Sequence, residues 1–311
     1  MEPEEQKTNK SGVSIIIPAY NEEHGIGPVI EQLLIIMRNS GLENEIIVVD
    51  DGSTDNTSAE VAKIPDVRVI RHQVNKGYGA ALKTGIKYAR FENICITDAD
   101  GTYPNDRIPG LIGQLVANNK DMVVGARTGK NVAIPLIRKP AKWVINCLAN
   151  FVVGEPIPDL NSGLRVFRKD VAYRFFNILS DGYSFTTTIT LSMLSNGYAV
   201  EYVPIDYHAR VGKSKIKPIR DTLKFTQLVL RIALYFAPLK LFLPLSAFIF
   251  LTALGWGSVS YFVFDRLADV STIVIAFAGF QVLVTGMLAE LINRRTSSHF
   301  RHDSFGSDSR K

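Results

Sequence analysis

The chain has 311 residues, 46% of them hydrophobic, and a formal charge of +5, which allows one large domain plus an attachment. The basic excess is mild and concentrates near an apolar C-terminal region, so it fits lipid headgroups and argues against nucleic acid as a partner. Two cysteines, Cys95 and Cys147, exclude a disulfide framework and a zinc site and fit a reducing cytosolic face, and the polar start MEPEEQKTNK lacks the apolar run of a secretory signal.

In chain order, Val13 to Pro18 reads as a strand and Gly27 to Asn39 as a helix with Val29, Ile30, Leu33, Leu34 and Met37 on its apolar face. Glu45 to Val49 is a second strand, and Thr54 to Lys63 a helix started by Ser53 or Thr54. Val67 to Arg71, a helix from Gly79 to Arg90, Ile94 to Thr97, a mostly helical Pro104 to Ala117 and Met122 to Gly125 follow. Strands alternating with helices imply βαβ units and a largely parallel sheet. Beyond Arg127 the pattern blurs into loops, a crossing helix around Lys142 to Phe151, and edge strands at Val166-Phe167 and Val200 to Val203.

Pro218 to Phe236 carries Ile219, Leu223, Leu230 and Leu234 at helical spacing among Arg220, Lys224 and Arg231, and reads as an amphipathic helix at a membrane surface. Leu241 to Phe264 and Val270 to Ile292 are each longer than the roughly 20 residues that cross a bilayer core. A buried helical hairpin is the rival, but core helices of that length carry a polar face. The short link Asp265-Arg266-Leu267-Ala268-Asp269 makes the pair an antiparallel hairpin. Basic residues before the first span and Arg294, Arg295 and Arg301 after the second put both termini and the large N-terminal region in the cytoplasm. Gly255 and Gly257 offer helix contacts between subunits.

Two acidic turns follow buried-strand runs: Asp50-Asp51-Gly52-Ser53 and Asp98-Ala99-Asp100-Gly101. Carboxylates at strand ends lie where open α/β sheets bind ligands, and Asp98 with Asp100 suits a hard divalent cation, Mg²⁺ or Mn²⁺, gripping a diphosphate. A solvated turn is the plainer reading of the same residues. The first strand turns through Pro18-Ala19-Tyr20-Asn21-Glu22 without glycine, which rules out a dinucleotide fingerprint. No G-x-x-x-x-G-K-[ST] occurs, so a P-loop is excluded as well.

Ile17-Pro18-Ala19-Tyr20-Asn21-Glu22, Val48-Val49-Asp50-Asp51-Gly52-Ser53-Thr54-Asp55, Asn75-Lys76-Gly77 and Asp98-Ala99-Asp100-Gly101 occur in this order, each at a predicted strand end. Together with the apolar hairpin they resemble the family 2 GT-A glycosyltransferases acting on polyprenyl phosphates, the group of dolichol-phosphate mannose and glucose synthases. The resemblance implies an α/β GT-A domain with a mixed, mostly parallel sheet, then an interfacial amphipathic helix and a two-helix transmembrane hairpin. The expected segments are a flexible N-terminus (1–12), the catalytic domain (13–214), the interfacial helix (215–237), spans at 238–264 and 270–292, and a disordered basic tail (293–311). It also implies an integral membrane enzyme, and relatives suggest a homo-oligomer, a tetramer.

The resemblance puts Pro18, Tyr20, Glu22, Val49, Asp51, Lys76 and Ala99 at the nucleotide sugar, with Tyr20 stacking on the base and Asp51 meeting its edge; simple packing is the rival role for Pro18 and Val49. Asp100 becomes the direct metal ligand and Asp98 a second ligand or a contact to sugar or ribose. Some relatives continue the motif with a ligating Gln; here Gly101-Thr102-Tyr103 follows, so Thr102 or water takes that place. Arg127 matches an arginine near the phosphates, whose planar fork binds phosphate oxygens in pairs. Arg138 and Lys142 are placed at the lipid phosphate, with a general basic membrane-facing patch as the alternative. Asp159 and Ser162 belong to a loop near the acceptor, and Arg210, Lys215 and Lys217 to a loop closing over the donor diphosphate; His208 is read as structural.

The implied reaction moves a sugar from a nucleotide diphosphate sugar to polyprenyl or dolichyl phosphate, giving a lipid-linked sugar donor. The Gly101-Thr102-Tyr103 continuation favours a UDP-sugar over GDP-mannose. A phosphate monoester with a second pKa near 6 is already largely a dianion at neutral pH, so it attacks without a protein base and direct displacement inverts the anomeric centre. Rival readings are a family 2 enzyme with another glycolipid or polysaccharide acceptor, and a non-catalytic membrane scaffold. A polysaccharide synthase carries Q-x-x-R-W, absent here, and a scaffold would tolerate loss of an acidic residue at 98 or 100.

Overall fold

The computed structural model describes residues 12–128, 146–147, 149–207, 227, 230–231, 233–235, 237–264 and 270–302, with the side chains of 264 and 293–302 left aside. It divides into two compact units, Met1–Thr226 and Gln227–Lys311. The first is built on a seven-stranded sheet of order β3-β2-β1-β4-β6-β5-β7, formed by β1 (Val13–Ala19), β2 (Asn44–Asp50), β3 (Val67–Arg71), β4 (Asn93–Ile96), β5 (Met122–Ala126), β6 (Arg165–Arg168) and β7 (Val200–Pro204). All of β1 is buried, as its run VSIIIPA requires of a strand covered on both faces. It pairs in parallel with β2 (Ile16 beside Ile47) and with β4 (Ile16 beside Ile96).

The chain runs outward from β1 to β2 and β3, then returns to place β4 on the other side of β1. The order therefore reverses beside β1, and the crevice of an open α/β sheet lies at such a switch point. The helix α1 (Ile26–Ser40) buries Ile26, Val29, Ile30, Leu33 and Met37, one stripe at helical spacing, and ends at Gly41 in the left-handed region, φ 68°. α2 (Thr57–Ala62) starts at Thr57 rather than at Thr54, because Ser53 and Thr54 are drawn into hydrogen bonds with the β1 loop. α3 (Tyr78–Tyr88) lies against β1, with Gly85 so close that a Cβ there would sit 2.4 Å from Ile16 Cγ2. α4 (Ile108–Ala117) follows a 3₁₀ turn at Asn105–Arg107.

The half after Arg127 departs from the sequence reading in three ways. β6 is an inner strand, not an edge, and runs antiparallel between β4 and β5. Two helices, α5 (Lys169–Arg174) and α6 (Phe185–Ser195), stand where no element was expected. α6 is almost wholly buried and carries Thr and Ser where an apolar stripe would normally announce a helix. Thr188 and Thr190 tie their hydroxyls to the carbonyls of Ser184 and Thr186, each at 2.8 Å.

One contact couples α3 to the loop before α6. A Cβ on Gly79 would meet the Ser180 carbonyl oxygen at 2.0 Å, and the Ala80 N–H donates to the Asp181 carbonyl at 3.0 Å. Gly79→Ala therefore forces backbone apart and is expected to destabilise the domain by roughly 1–3 kcal/mol. Thermal melting checks this: an unchanged midpoint would show that the two segments separate freely.

The second unit consists of α7 (Pro238–Phe264) and α8 (Val270–His302). Both are long and apolar enough to cross a membrane, with mean hydropathies of 1.7 and 2.0 over their apolar stretches. Only 11% of each stretch is buried within the protein, unlike a soluble core helix. They pack antiparallel: Ser246 Oγ donates to the Gly279 carbonyl at 2.8 Å, and Gly286 accepts the Phe242 side chain. Gly257 faces Thr272 of the same chain, where a Cβ would stand 3.0 Å from Thr272 Cγ2. α8 continues to His302, so the first ten residues of the segment read as a disordered tail are helical. The link 265–269 and most of the expected interfacial helix lie outside the described residues.

Candidate active site

The C-terminal ends of β1, β2 and β4 form one wall. The loop after β1 and the loop after β2 are laced together: Asn21 N–H donates to Ser53 Oγ (3.0 Å), Thr54 N–H to Asn21 Oδ1 (2.9 Å) and Glu22 N–H to Thr57 Oγ1 (2.9 Å). Asn21 adopts φ 52°, which an asparagine tolerates in a turn. This lacing sets Tyr20 and Glu22 at the mouth of a cleft of about 140 Å³. The cleft brings together Pro18, Tyr20, Glu22, Asp51, Asp98, Ala99 and Asp100 of the expected site, and adds Tyr78 and Tyr183.

The two acidic turns do different work. Asp50 is fully buried; it accepts the Ser53 N–H at 2.8 Å and the Ser58 hydroxyl and closes its own turn. Asp51 is 3% exposed, and its carboxylate accepts His72 Nδ1 at 2.7 Å, the Lys76 N–H at 2.9 Å and the Gly77 N–H at 2.8 Å. His72 is held in turn by Thr84 Oγ1 at 2.9 Å. A carboxylate offers about four acceptor positions, so three internal donors leave one unused by these contacts. Gly77, at φ 106°, bends the chain there with no room for a side chain: a Cβ would meet the Asp181 carbonyl at 2.5 Å.

Asp100 Oδ1 accepts the Thr102 hydroxyl at 2.7 Å and the Thr102 N–H at 3.2 Å. Thr102 is fully buried, so it orients Asp100. Asp98 Oδ1 accepts the Tyr78 hydroxyl at 2.9 Å. Among the described residues no third His, Cys, Asp or Glu joins these two carboxylates. A hard cation held by two carboxylates takes its other ligands from water and phosphate oxygens, the usual habit of Mg²⁺, and the donor set fits that role.

Arg127 and Asp159 form a pair that the sequence did not reveal. Arg127 Nε and Nη2 donate to Asp159 Oδ2 and Oδ1 at 2.8 and 2.9 Å, and the Arg127 N–H adds 3.0 Å to Oδ2. Burial pushes the Asp159 carboxyl upward, but the Arg127 hydrogen bonds and charge outweigh it and hold it at about 2. Arg127 also lies 5.3 Å from the Tyr207 ring centroid, and Tyr207 meets Tyr103 edge to face. Neither Arg127 nor Asp159 lines the cleft of Asp98 and Asp100.

Ser162, fully buried, donates its hydroxyl to the Gly125 carbonyl at 2.5 Å and so pins the loop to β5. Val49 is wholly buried opposite Pro18 in the β1–β2 register and does not line the cleft. Lys76 is exposed and approaches Asp51 only through its backbone, while its neighbours Asn75 and Gly77 line the cleft. Arg138, Lys142, Arg210, Lys215 and Lys217, and also His208, lie outside the described residues. Sequence reasoning missed Tyr78, Tyr183, His72 and the fully buried Arg165. Arg165 donates to the Ser162 carbonyl, the Thr186 carbonyl (3.0 Å) and Thr190 Oγ1 (2.8 Å), and its burial lowers its pKa.

Residues 14–176 match the family model described as Glycosyl transferase family 2, and residues 237–294 match the GtrB C-terminal hairpin. The chain is 27% identical over 314 residues to a dodecaprenyl-phosphate galacturonate synthase of Rhizobium johnstonii, covering 94% of this chain and 90% of that one. It is 30% identical over 207 residues to a dolichyl-phosphate hexose transferase of Haloferax volcanii, covering 66% of this chain and 87% of the other. In fold it is similar to glucosyl-3-phosphoglycerate synthase of Mycobacterium tuberculosis, solved with Mn²⁺, UDP and phosphoglyceric acid. The TM-score is 0.57 at 19% identity, over 72% of this chain and 78% of that structure.

Proposed function

Because the chain belongs to glycosyl transferase family 2, as its match over residues 14–176 shows, we propose that it moves a sugar from a nucleoside diphosphate sugar to a polyprenyl or dolichyl phosphate in a membrane. The observation that carries this reading is one cleft that gathers Tyr20, Asp51, Asp98 and Asp100, in a chain that also holds two apolar helices. The names of the Rhizobium and Haloferax relatives support the lipid-phosphate acceptor. A UDP-sugar is favoured over GDP-mannose, and the UDP in the Mycobacterium structure supports that choice.

Tyr20 stacks on the base and the remaining acceptor position of Asp51 takes its N–H. Mg²⁺ or Mn²⁺ held by Asp98 and Asp100 would neutralise charge on the departing nucleoside diphosphate. Asp159 holds two of the five N–H donors of Arg127, which leaves three for phosphate oxygens. The acceptor dianion attacks the anomeric carbon while the bond to the nucleoside diphosphate breaks, with inversion and without a protein base. Arg138, Lys142, Arg210, Lys215 and Lys217 supply further positive charge to two polyanions, and the helix 215–237 lies at the headgroups. Spans at 238–264 and 270–292 leave the catalytic domain and both termini in the cytoplasm, and the chain assembles as a homo-oligomer.

Transfer from a panel of radiolabelled UDP- and GDP-sugars to polyprenyl phosphate, with purified full-length protein in detergent and Mg²⁺ or Mn²⁺, tests the reading. One acid-labile glycolipid from one donor is expected. Nucleotide binding without any lipid product would overturn the lipid-phosphate acceptor.

A further inference from the structure

Tyr78 belongs to no motif that the reaction requires, yet its half-buried side chain lines the cleft and its hydroxyl ends on a carboxylate there. The hydroxyl donates to Asp98 Oδ1 at 2.9 Å. The ring stacks on Tyr183, with centroids 5.8 Å apart and planes 19° from parallel. Tyr183 is 61% exposed, an unusual place for an aromatic ring unless something holds it. Its loop is fastened to α3 by the Asp181 carbonyl on the Ala80 N–H, by the Lys83–Asp181 ion pair at 2.8 Å, and by close backbone approach at Gly79.

On its other side Asp98 is walled by Gly163. A Cβ there would stand 2.9 Å from Asp98 Oδ2 and 3.0 Å from Oδ1, and the Gly163 N–H is fixed by Tyr103 Oη at 2.6 Å. The Tyr78 hydroxyl on one oxygen and the close backbone at Gly163 restrict how the Asp98 carboxylate can turn.

We propose that Tyr78, backed by Tyr183, is a positioning residue that fixes the Asp98 carboxylate for the cation and diphosphate of the donor. The inference rests on the donor half of the function proposed above and is independent of which acceptor the enzyme uses. Tyr78→Phe keeps the stacked ring and removes only the hydrogen bond. Hydrogen bonds that orient metal-ligating carboxylates are worth roughly 10–100-fold in metal affinity or activity.

The test is Mn²⁺ binding by the full-length protein in detergent, followed by the loss of the free-ion spin-resonance signal with UDP present. Tyr78→Phe is expected to raise the half-saturating Mn²⁺ concentration by roughly 10-fold. In sugar transfer it should lower kcat while leaving the KM for the lipid unchanged, with a melting midpoint close to that of the unaltered protein. Equal Mn²⁺ binding by the two proteins would overturn the inference while the proposed function stands. A wild-type protein that binds Mn²⁺ no better with UDP than without it would overturn the donor-site reading and this inference together. Normal Mn²⁺ behaviour without a lipid product would overturn only the acceptor.

Discussion

Asp100→Asn is expected to lower kcat for sugar transfer by roughly 100- to 1000-fold, the scale of losing one preorganised charge at the point where a leaving group develops negative charge. The substitution keeps the shape and the oxygen that Thr102 holds at 2.7 Å, so the turn at Gly101, φ 69°, has no reason to change. What is lost is the carboxylate charge facing the cleft. Only one other carboxylate, Asp98, belongs to the same acidic motif, and among the described residues no third acidic or imidazole group comes to help. Chelation of divalent metal from the wild-type enzyme should reproduce the defect, and added Mn²⁺ should restore wild type but not the variant. A variant that keeps more than about a tenth of its activity would remove Asp100 from the chemistry.

The second large effect belongs to stability. Asp159→Ala strips both hydrogen-bond acceptors from Arg127 and leaves a mostly buried guanidinium uncompensated. Breaking one side of such a pair costs roughly 3–5 kcal/mol, and we expect the lower end because the Arg127 side chain is still 21% exposed. The same pair predicts a pH dependence. The Asp159 carboxyl sits at about 2 in the folded domain against an ordinary 3.8, so between those values the unfolded chain binds the extra proton. Its contribution, about 2 kcal/mol, is complete above pH 5 and is lost as pH falls through 4 towards 2. Melting of wild type and Asp159→Ala from pH 6 down to pH 3 should show a gap that narrows with acid. A gap that stays constant would mean that the pair does not titrate as its geometry requires.

The parallel half of the sheet was legible because each strand is a β-branched run closed by a turn, and the ligand-facing residues come just after those runs. Tyr20, Asp51, Asp98 and Asp100 could be read for that reason. The inner, antiparallel place of β6 could not: Arg165-Val166-Phe167-Arg168 is short and begins and ends in charge, so it reads as an edge, and only the fold reveals that Arg165 is fully buried among carbonyls. α6 was hidden by Thr186, Thr187, Thr188 and Thr190, residues that favour strands; here the hydroxyls of Thr188 and Thr190 bond to backbone carbonyls and that of Thr187 to Asn161. The Arg127–Asp159 pair joins residues 32 apart, and no local pattern announces a contact across that distance. Val49 is packed in β2 opposite Pro18, the packing that the sequence also allowed for it.

The reversed strand has a consequence for how such an enzyme can diversify. Because β6 is antiparallel, the chain that leaves β5 at Ala126 returns at Arg165 to the adjacent strand, where Val124 faces Arg165 and the Gly125 N–H reaches the Leu164 carbonyl at 3.0 Å. Departure and return are neighbours, so whatever lies between is an excursion from a fixed doorway. Doubling the length of such an excursion costs only about 0.6 kcal/mol in closure entropy. The stretch between Arg127 and Asp159 can thus be lengthened at little cost, while the ends of β1, β2 and β4 that meet at the cleft keep their geometry.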